Sequence, residues 1–275
     1  MDPEESLQRL IRWFRERGEG GVVVAYSGGV DSTLVALAAH EALKDSALAI
    51  MVKTEFITPG EIREAISVAK GLGIRHRVLR LSLPKEVRAN PPDRCYHCKK
   101  LILRKLRAYA ERNGYSLLVD GTNFDDIHSQ RPGLRALREE ATASPLAELG
   151  WGKGDVREIS RQMGLDYGKP SSPCLATRFP PNHIIERREL EAVAEAEGHI
   201  RSMGFSQVRV RAREGMAKIE VEEGGLERMM ENGRFRRVVS ALKGMGFKEV
   251  ALDLEGYVPE GEMWERSRNE KGKTK

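Results

Sequence analysis

The chain predicts an α/β fold, a parallel sheet with helices on both faces, followed by a small C-terminal α+β domain. Three observations predict it. Apolar β-like runs and amphipathic α-like runs alternate up to Asp120, the pattern of strand–helix–strand units. The apolar run Val22-Val23-Val24-Ala25 feeds directly into a Gly-Gly turn and then a helical pattern. From Ile184 onward the order changes to helix, two strands, helix and strand, a new unit within the size of a small domain.

Taken in order, residues 1–17 place Leu7, Leu10, Ile11 and Phe14 on one helical face. Gly21–Tyr26 reads as a strand and Val30–Leu43 as a helix with Val30, Leu34, Leu37 and Ala38 apolar. Ala47–Val52 is a strand, and Pro59–Gly71 a helix with proline well placed at its start. Ile74–Leu81 is a strand, Lys99–Asn113 a helix and Tyr115–Asp120 a strand. Beyond Asp120 the pattern loosens, with a short helix over Gly154–Gly164 and an irregular Pro- and Ser-rich stretch over Gly168–Asn182. The terminal unit comprises a helix from Ile184 to Met203, strands Gln207–Arg213 and Ala217–Val221, a helix Leu226–Met245 and a strand Glu249–Leu254. The expected domains are 1–180 and 184–258, with 259–275 a disordered tail whose end, Arg266–Lys275, is basic.

Composition sets the class. Hydrophobic residues make up 40% and charged residues 32%, with a net charge of +5 and a pI near 9.1. No apolar run approaches the roughly 20 residues of a membrane helix, and the start Met-Asp-Pro-Glu-Glu-Ser is too polar for a secretory leader. A cytoplasmic location without membrane contact is expected. Lys and Arg are interspersed with Glu rather than blocked, a weak footprint for nucleic acid. The abundance of Arg, Lys and Glu over Asn and Gln fits a heat-tolerant source.

Residues 26–33 read Tyr-Ser-Gly-Gly-Val-Asp-Ser-Thr. The glycines let the chain turn with N–H groups facing a ligand. Ser27, Asp31 and Ser32 surround the turn with hydroxyls and a carboxylate, and a helix N-terminus favours phosphate. The loop is neither G-x-x-x-x-G-K-[ST] nor G-x-G-x-x-G. It lacks the lysine that serves γ-phosphate transfer. It resembles instead the pyrophosphate loop of the ATP pyrophosphatases, in which a substrate oxygen attacks the α-phosphorus and pyrophosphate leaves. The alternative is an ordinary strand–turn–helix corner.

All three cysteines fall in distinctive surroundings. Cys95 and Cys98 stand in Arg94-Cys-Tyr-His-Cys-Lys-Lys100, and Cys174 in Ser171-Ser-Pro-Cys-Leu-Ala-Thr-Arg178. A C-x-x-C pair plus a distant thiolate makes three ligands for one metal centre, with a fourth position left open. A [4Fe–4S] cluster so held can bind hydrosulfide on its free iron. The alternatives are structural zinc with His97, a redox disulfide, a nucleophilic Cys174, or inert buried thiols.

Together the motifs resemble one family, the LarE family of ATP-dependent sulfur transferases that helps build the nickel-pincer nucleotide cofactor. The likeness rests on Tyr26–Thr33, Asn90–Lys100, Val119-Asp-Gly-Thr-Asn123, Arg131-Pro-Gly133, Ser144-Pro-Leu-Ala-Glu148, Pro170–Phe179 and Val208-Arg-Val-Arg211. It implies a fold of the adenine nucleotide α-hydrolase type, ATP and Mg²⁺, identical chains in an oligomer, and pyridinium-3,5-biscarboxylic acid mononucleotide as substrate. The family has a single-cysteine form that surrenders its own sulfur and a three-cysteine form holding a [4Fe–4S] cluster. With Cys95, Cys98 and Cys174 as catalytic residues and cluster ligands, this chain resembles the second. The resemblance further implies that Ser27, Gly28, Gly29, Asp31 and Ser32 bind the ATP phosphates, with Asp31 a magnesium contact, and that Gly121 and Asn123 lie near the nucleotide. Arg178, Glu197 and Arg209 match positions near the phosphate or metal pocket, against the alternative of surface charge. Arg131 is either a helix-start residue or a substrate contact.

Three rival readings remain at this point. A tRNA thiolase of the same superfamily needs a basic RNA surface that the chain offers only weakly. A glutamine-fed ligase of the GMP- or NAD-synthetase kind leaves the cysteines without a role. A zinc-stapled nucleotide-binding module would carry no chemistry. The sulfide donor is not legible.

Overall fold

The computed structural model describes residues 3–128, 132–165 and 173–258. Its contacts divide the chain into two units, Met1–Pro173 and Cys174–Lys275. Arg131 and the proposed tail 259–275 lie outside the described residues.

The first unit begins with α1 (Pro3–Arg17), β1 (Val22–Ala25), α2 (Val30–Leu43), β2 (Ala47–Lys53), α3 (Pro59–Gly71) and β3 (His76–Arg80). It continues with α4 (Lys85–Arg88), α5 (Arg94–Arg112), β4 (Leu117–Asp120), α6 (Phe124–Ile127), α7 (Gly133–Glu139), α8 (Pro145–Glu148) and α9 (Lys153–Gln162). The four strands form one parallel sheet in the order β3-β2-β1-β4. Strand side chains alternate between two cores, as the two-residue period of a strand requires. Val22, Val24, Ala47, Ala49, Met51 and Val119 pack with α1, α2 and α9 on one face. Val23, Leu48, Ile50, Val52 and Leu118 pack with α5 and α7 on the other. Burying both faces explains why β1 and β2 read as continuous apolar runs rather than alternating ones. Each fully buried valine of β1 contributes about 1.5–3 kcal/mol.

The strand order reverses direction at β1: the chain runs outward through β2 and β3, then returns to place β4 on the other side of β1. Such a switch point opens a crevice at the carboxyl ends of the strands, where ligands bind in open α/β sheets. Ala25 and Asp120 lie side by side there.

The second unit contains a 3₁₀ turn at Leu175–Arg178, α10 (Arg187–Ser202), β5 (Val208–Arg213), β6 (Met216–Val221), α11 (Gly225–Met230), α12 (Arg234–Gly244) and β7 (Glu249–Leu252). Its sheet is mixed, with β5 and β6 antiparallel and β6 and β7 parallel. Val208, Val210, Ile219 and Val221 are buried, as are Val193, Ala196 and Ile200 of α10. Among the described residues no helix is long and apolar enough to cross a membrane.

Four elements differ from expectation. Helix α5 begins at Arg94 rather than Lys99, so the C-x-x-C pair is helical. The helix expected over Leu226–Met245 is two, broken where Asn232 and Gly233 adopt φ of 51° and 67°. The loose stretch after Asp120 contains α6, α7 and α8, too short to show a helical period. Part of the irregular stretch, Leu175–Arg178, is a 3₁₀ turn, and residues 166–172 lie outside the described set.

Candidate functional site

The loop after β1 is shaped by its glycines and tied by its hydroxyls. Gly28 has φ of +79°, and a Cβ there would stand 2.6 Å from the Ala65 Cβ on α3. Only glycine allows both the turn and the approach. Ser32 Oγ lies 3.0 Å from Ser27 Oγ, accepts from the Ser27 N–H at 3.2 Å and donates to the Gly29 carbonyl at 3.1 Å. Gly29 caps α2, whose first intrahelical bond runs from the Thr33 N–H to the Gly29 carbonyl at 2.9 Å. The preceding N–H groups of the first turn are the ones a helix leaves for an anion.

The loop after β4 closes on that turn. A Cβ at Gly121 would meet Ser32 N at 2.7 Å and Ser32 Cα at 2.9 Å. Asn123 is fully buried; its amide donates to Asp31 Oδ2 at 2.9 Å while its carbonyl oxygen accepts from the Asp126 N–H at 2.9 Å, capping α6. Burial pushes the Asp31 carboxyl above the usual carboxylate range; the Asn123 hydrogen bond opposes this, Asp126 reinforces it, and Lys153 and Arg157 oppose it. Ser27, Gly28, Gly29, Asp31, Ser32, Gly121 and Asn123 thus lie together at the switch point.

Asp120 is the hub beneath them. It is buried, receives the Lys99 ammonium at 3.0 Å, and accepts from the Thr122 N–H at 3.1 Å, the Thr122 hydroxyl at 2.6 Å and the Ser144 hydroxyl at 2.7 Å.

Cys95 and Cys98 lie at the start of α5 as thiols outside any disulfide, Cys95 exposed and Cys98 half-buried. Their three-residue spacing puts them on one side of the helix. Arg94, itself buried, donates to Cys95 Sγ at 3.3 Å and to the Asn90 side chain. Tyr96 between them points inward; its hydroxyl bonds Glu139 of α7 at 2.7 Å, and Lys100 and Arg135 donate to it at 3.0 and 3.1 Å. Hydrogen bonds from Lys100, Arg135 and Tyr96 bring the Glu139 carboxyl down to about 2. His97 pairs with Asp93 at 2.9 Å on the exposed side.

Within the second unit, Arg178 and Glu197 form a two-pronged ion pair, Nε to Oε1 at 2.8 Å and Nη2 to Oε2 at 3.3 Å, with both side chains 2% exposed. Arg201 and the Val210 N–H donate to the same carboxylate at 2.7 and 3.1 Å. Burial alone would raise the Glu197 carboxyl; the Arg178 hydrogen bond and the charges of Arg178 and Arg201 carry it below its ordinary value. Arg178 also donates to Thr177 Oγ1 at 2.8 Å and the Cys174 carbonyl at 3.4 Å. The half-buried thiol Cys174 therefore sits on a turn anchored by this pair. Arg209 is buried, donates to the Val208 carbonyl at 2.8 Å and lies 5.0 Å from the Tyr257 ring centre. Burial, then the neighbouring Arg178, lowers its pKa. Surface charge does not describe Arg178, Glu197 or Arg209.

A family model described as NAD synthase matches residues 4–102. An uncharacterized protein of Synechocystis is 38% identical over 257 residues, 92% of this chain and 95% of that protein. The pyridinium-3,5-bisthiocarboxylic acid mononucleotide synthase of Lactiplantibacillus plantarum is 34% identical over 241 residues, 86% of both chains. The chain belongs to the LarE family of ATP-dependent sulfur transferases. More distant is a glutamine-hydrolyzing GMP synthase component of Archaeoglobus fulgidus, 27% identical over 60% of this chain and 58% of its own length.

For this LarE-family chain, sequence reading missed Asp120, Lys99, Arg94 and Tyr96 as site residues. Asp120 carried a signal, a carboxylate closing an apolar strand; the others are common residues whose importance lies in what they reach. Among the described residues no three His, Cys, Asp or Glu side chains are gathered as a metal site. The donor chemistry still suits iron–sulfur binding: three thiols outside any disulfide, two of them spaced on one helical turn.

Proposed function

We propose that this chain adenylates the carboxylates of pyridinium-3,5-biscarboxylic acid mononucleotide and converts them to thiocarboxylates. One observation carries the reading. The Lys99–Asp120 ion pair fastens the thiol-bearing turn of α5 to the strand end beside the pyrophosphate loop, so activation and sulfur delivery are tied to one scaffold. The name of the Lactiplantibacillus relative gives the substrate class.

The chemistry balances with ATP and hydrosulfide. A substrate carboxylate oxygen attacks the α-phosphorus, the α–β phosphoanhydride bond breaks, and pyrophosphate leaves. Sulfide then attacks the acyl carbon, AMP departs with the original oxygen, and a thiocarboxylate and a proton remain. Ser27, Gly28, Gly29 and Ser32 hold the phosphates through the first turn of α2, where the helix dipole favours negative charge. Asp31 carries the magnesium ion; a divalent cation relieves the cost that burial imposes on its carboxylate. Gly121 and Asn123 border the nucleotide. Arg178 and Glu197 position the Cys174 turn, and Arg209 meets the substrate phosphate. Cys95, Cys98 and Cys174 would hold a [4Fe–4S] cluster, which would supply a carrier for sulfide-level sulfur. Identical chains assemble around the sites, in the cytoplasm and without nucleic acid.

Anaerobic incubation of the iron-reconstituted protein with substrate, ATP and sulfide tests this by mass spectrometry. The expected product shows one oxygen-to-sulfur exchange per carboxylate, with AMP formed in equal amount. A colourless zinc protein that thiolates nothing, or thiolation of bulk tRNA instead, would sink the assignment.

A further inference from the structure

The thiol-bearing start of α5 is held from three sides by the protein itself. Lys99 pairs with Asp120 at 3.0 Å, and the Tyr96 hydroxyl bonds Glu139 at 2.7 Å. The third hold is Arg94, and it acts on a sulfur. Its Nη1 donates to Asn90 Oδ1 and its Nη2 to Cys95 Sγ at 3.3 Å. Consecutive residues of a helix do not face one another, so this contact is no by-product of the helix. The guanidinium has to be brought back over its neighbour, and Asn90 is what brings it.

Asn90 is well set for that task. It is 2% exposed and holds φ of +54°, a left-handed conformation that asparagine adopts more readily than most residues with a side chain. Its N–H donates to the Val87 carbonyl at 3.1 Å, closing the turn after α4, and Pro91 and Pro92 stiffen the step into α5. A planar guanidinium pinned on one side presents its other donors in a fixed direction. Cys95 is exposed, so its sulfur meets a donor oriented by the protein where water alone would supply disordered ones. A thiolate bound to iron carries more negative charge than a free thiol, and a charged donor bonds it more strongly. Hydrogen bonds to the sulfurs are among the influences that set a cluster's reduction potential.

We propose that Arg94 is a positioning residue for the iron–sulfur centre: it aims Cys95 Sγ and, by donating to that sulfur, raises the reduction potential of the cluster that Cys95 ligates. This rests on the cluster reading above, and the experiment separates the two.

Anaerobic reconstitution of the full chain with iron and sulfide, followed by a reductive titration monitored by electron paramagnetic resonance, tests it. Arg94→Met is expected to keep its iron and to lower the midpoint. At the potential that half-reduces the parent cluster, its reduced-to-oxidised ratio should fall about tenfold, the loss of one charge-assisted contact, which is about 59 mV for a one-electron couple. Arg94→Lys, which keeps the charge but not the fork, should fall between the two. Asn90→Gly, which keeps the left-handed backbone and removes the amide, should shift the midpoint the same way by less. Arg104→Met removes equal charge from the same helix, but from a side chain paired with Glu140 at 2.9 Å, and should leave the midpoint where it is. The parent's midpoint in Arg94→Met, or an equal shift in Arg104→Met, would overturn the proposal. If Arg94→Met takes up no iron, Asn90→Gly decides it: a lowered midpoint upholds the proposal and any other outcome overturns it. A parent chain that takes up no iron fails the cluster reading and this proposal together, whereas a parent with a cluster and an Arg94→Met variant of unchanged potential fails this proposal alone.

Discussion

Two withdrawn carboxylates behave oppositely in the two units. Glu197 is almost completely buried, yet Arg178, Arg201 and the Val210 N–H saturate it, and it stays ionised below its ordinary range. Asp31 is less buried and has one strong donor, Asn123, with Asp126 nearby, and it is pushed up. The difference separates a finished mount from a buried carboxylate left with fewer donors. Glu197 spends its acceptor capacity inside the protein and fixes the Cys174 turn. Asp31 keeps capacity in reserve, at a cost to the unliganded fold that a bound cation removes.

The largest expected effect comes from breaking the finished mount. Arg178→Leu leaves a buried carboxylate short of its main partner and should destabilise the second unit by about 3 kcal/mol, read as a lowered urea midpoint and early proteolysis after residue 173. Next, Gly121→Ala should cost about 1–3 kcal/mol because its Cβ strikes the α2 backbone, and ATP turnover should fall with it. Smaller and opposite in sign, Asp31→Asn should raise the stability of the unliganded chain while abolishing ATP-dependent AMP release. A stabilising loss of function there is what a reserved charge predicts; a destabilising one would place Asp31 in the same class as Glu197.

The same contrast sets two pH dependences. Between 3.8 and its raised value, Asp31 binds more proton folded than unfolded, so its contribution to stability falls as pH rises through that window. Glu197 does the reverse: its stabilisation is present above 4.5 and is lost as pH falls through its lowered value. Urea titrations of Asp31→Asn and of the parent across acidic pH separate the two slopes. Least of all, Lys44→Ala, which removes an exposed pair with Glu41, should change stability by under about 0.5 kcal/mol in thermal unfolding.

Much of this was legible in the chain itself. The unbroken apolar runs of β1 and β2 announced strands buried on both faces, and the Gly-Gly turn marked the loop, because burial and backbone conformation select residue types locally. The first turn of α5 was not legible as helix. Arg94–Cys98 has no apolar stripe, and its helical state depends on Tyr96 docking against Glu139 of α7. Nor was the burial of Arg178, Glu197 and Arg209: a charged side chain reads as surface until its partner is known, and these partners are distant in the chain, 19 residues for Arg178 and Glu197 and 13 for Glu197 and Val210, with Arg209 over the Tyr257 ring.

The sequence by itself determined the fold class, the pyrophosphate loop and the identity of the three thiols, since each follows from short-range pattern or residue chemistry. Only the tertiary structure decided that Asp120 anchors Lys99 and that Gly121 must lack a side chain. Those decisions depend on which strand ends the sheet brings side by side, and strand order is a property of long-range packing that no local stretch of sequence encodes.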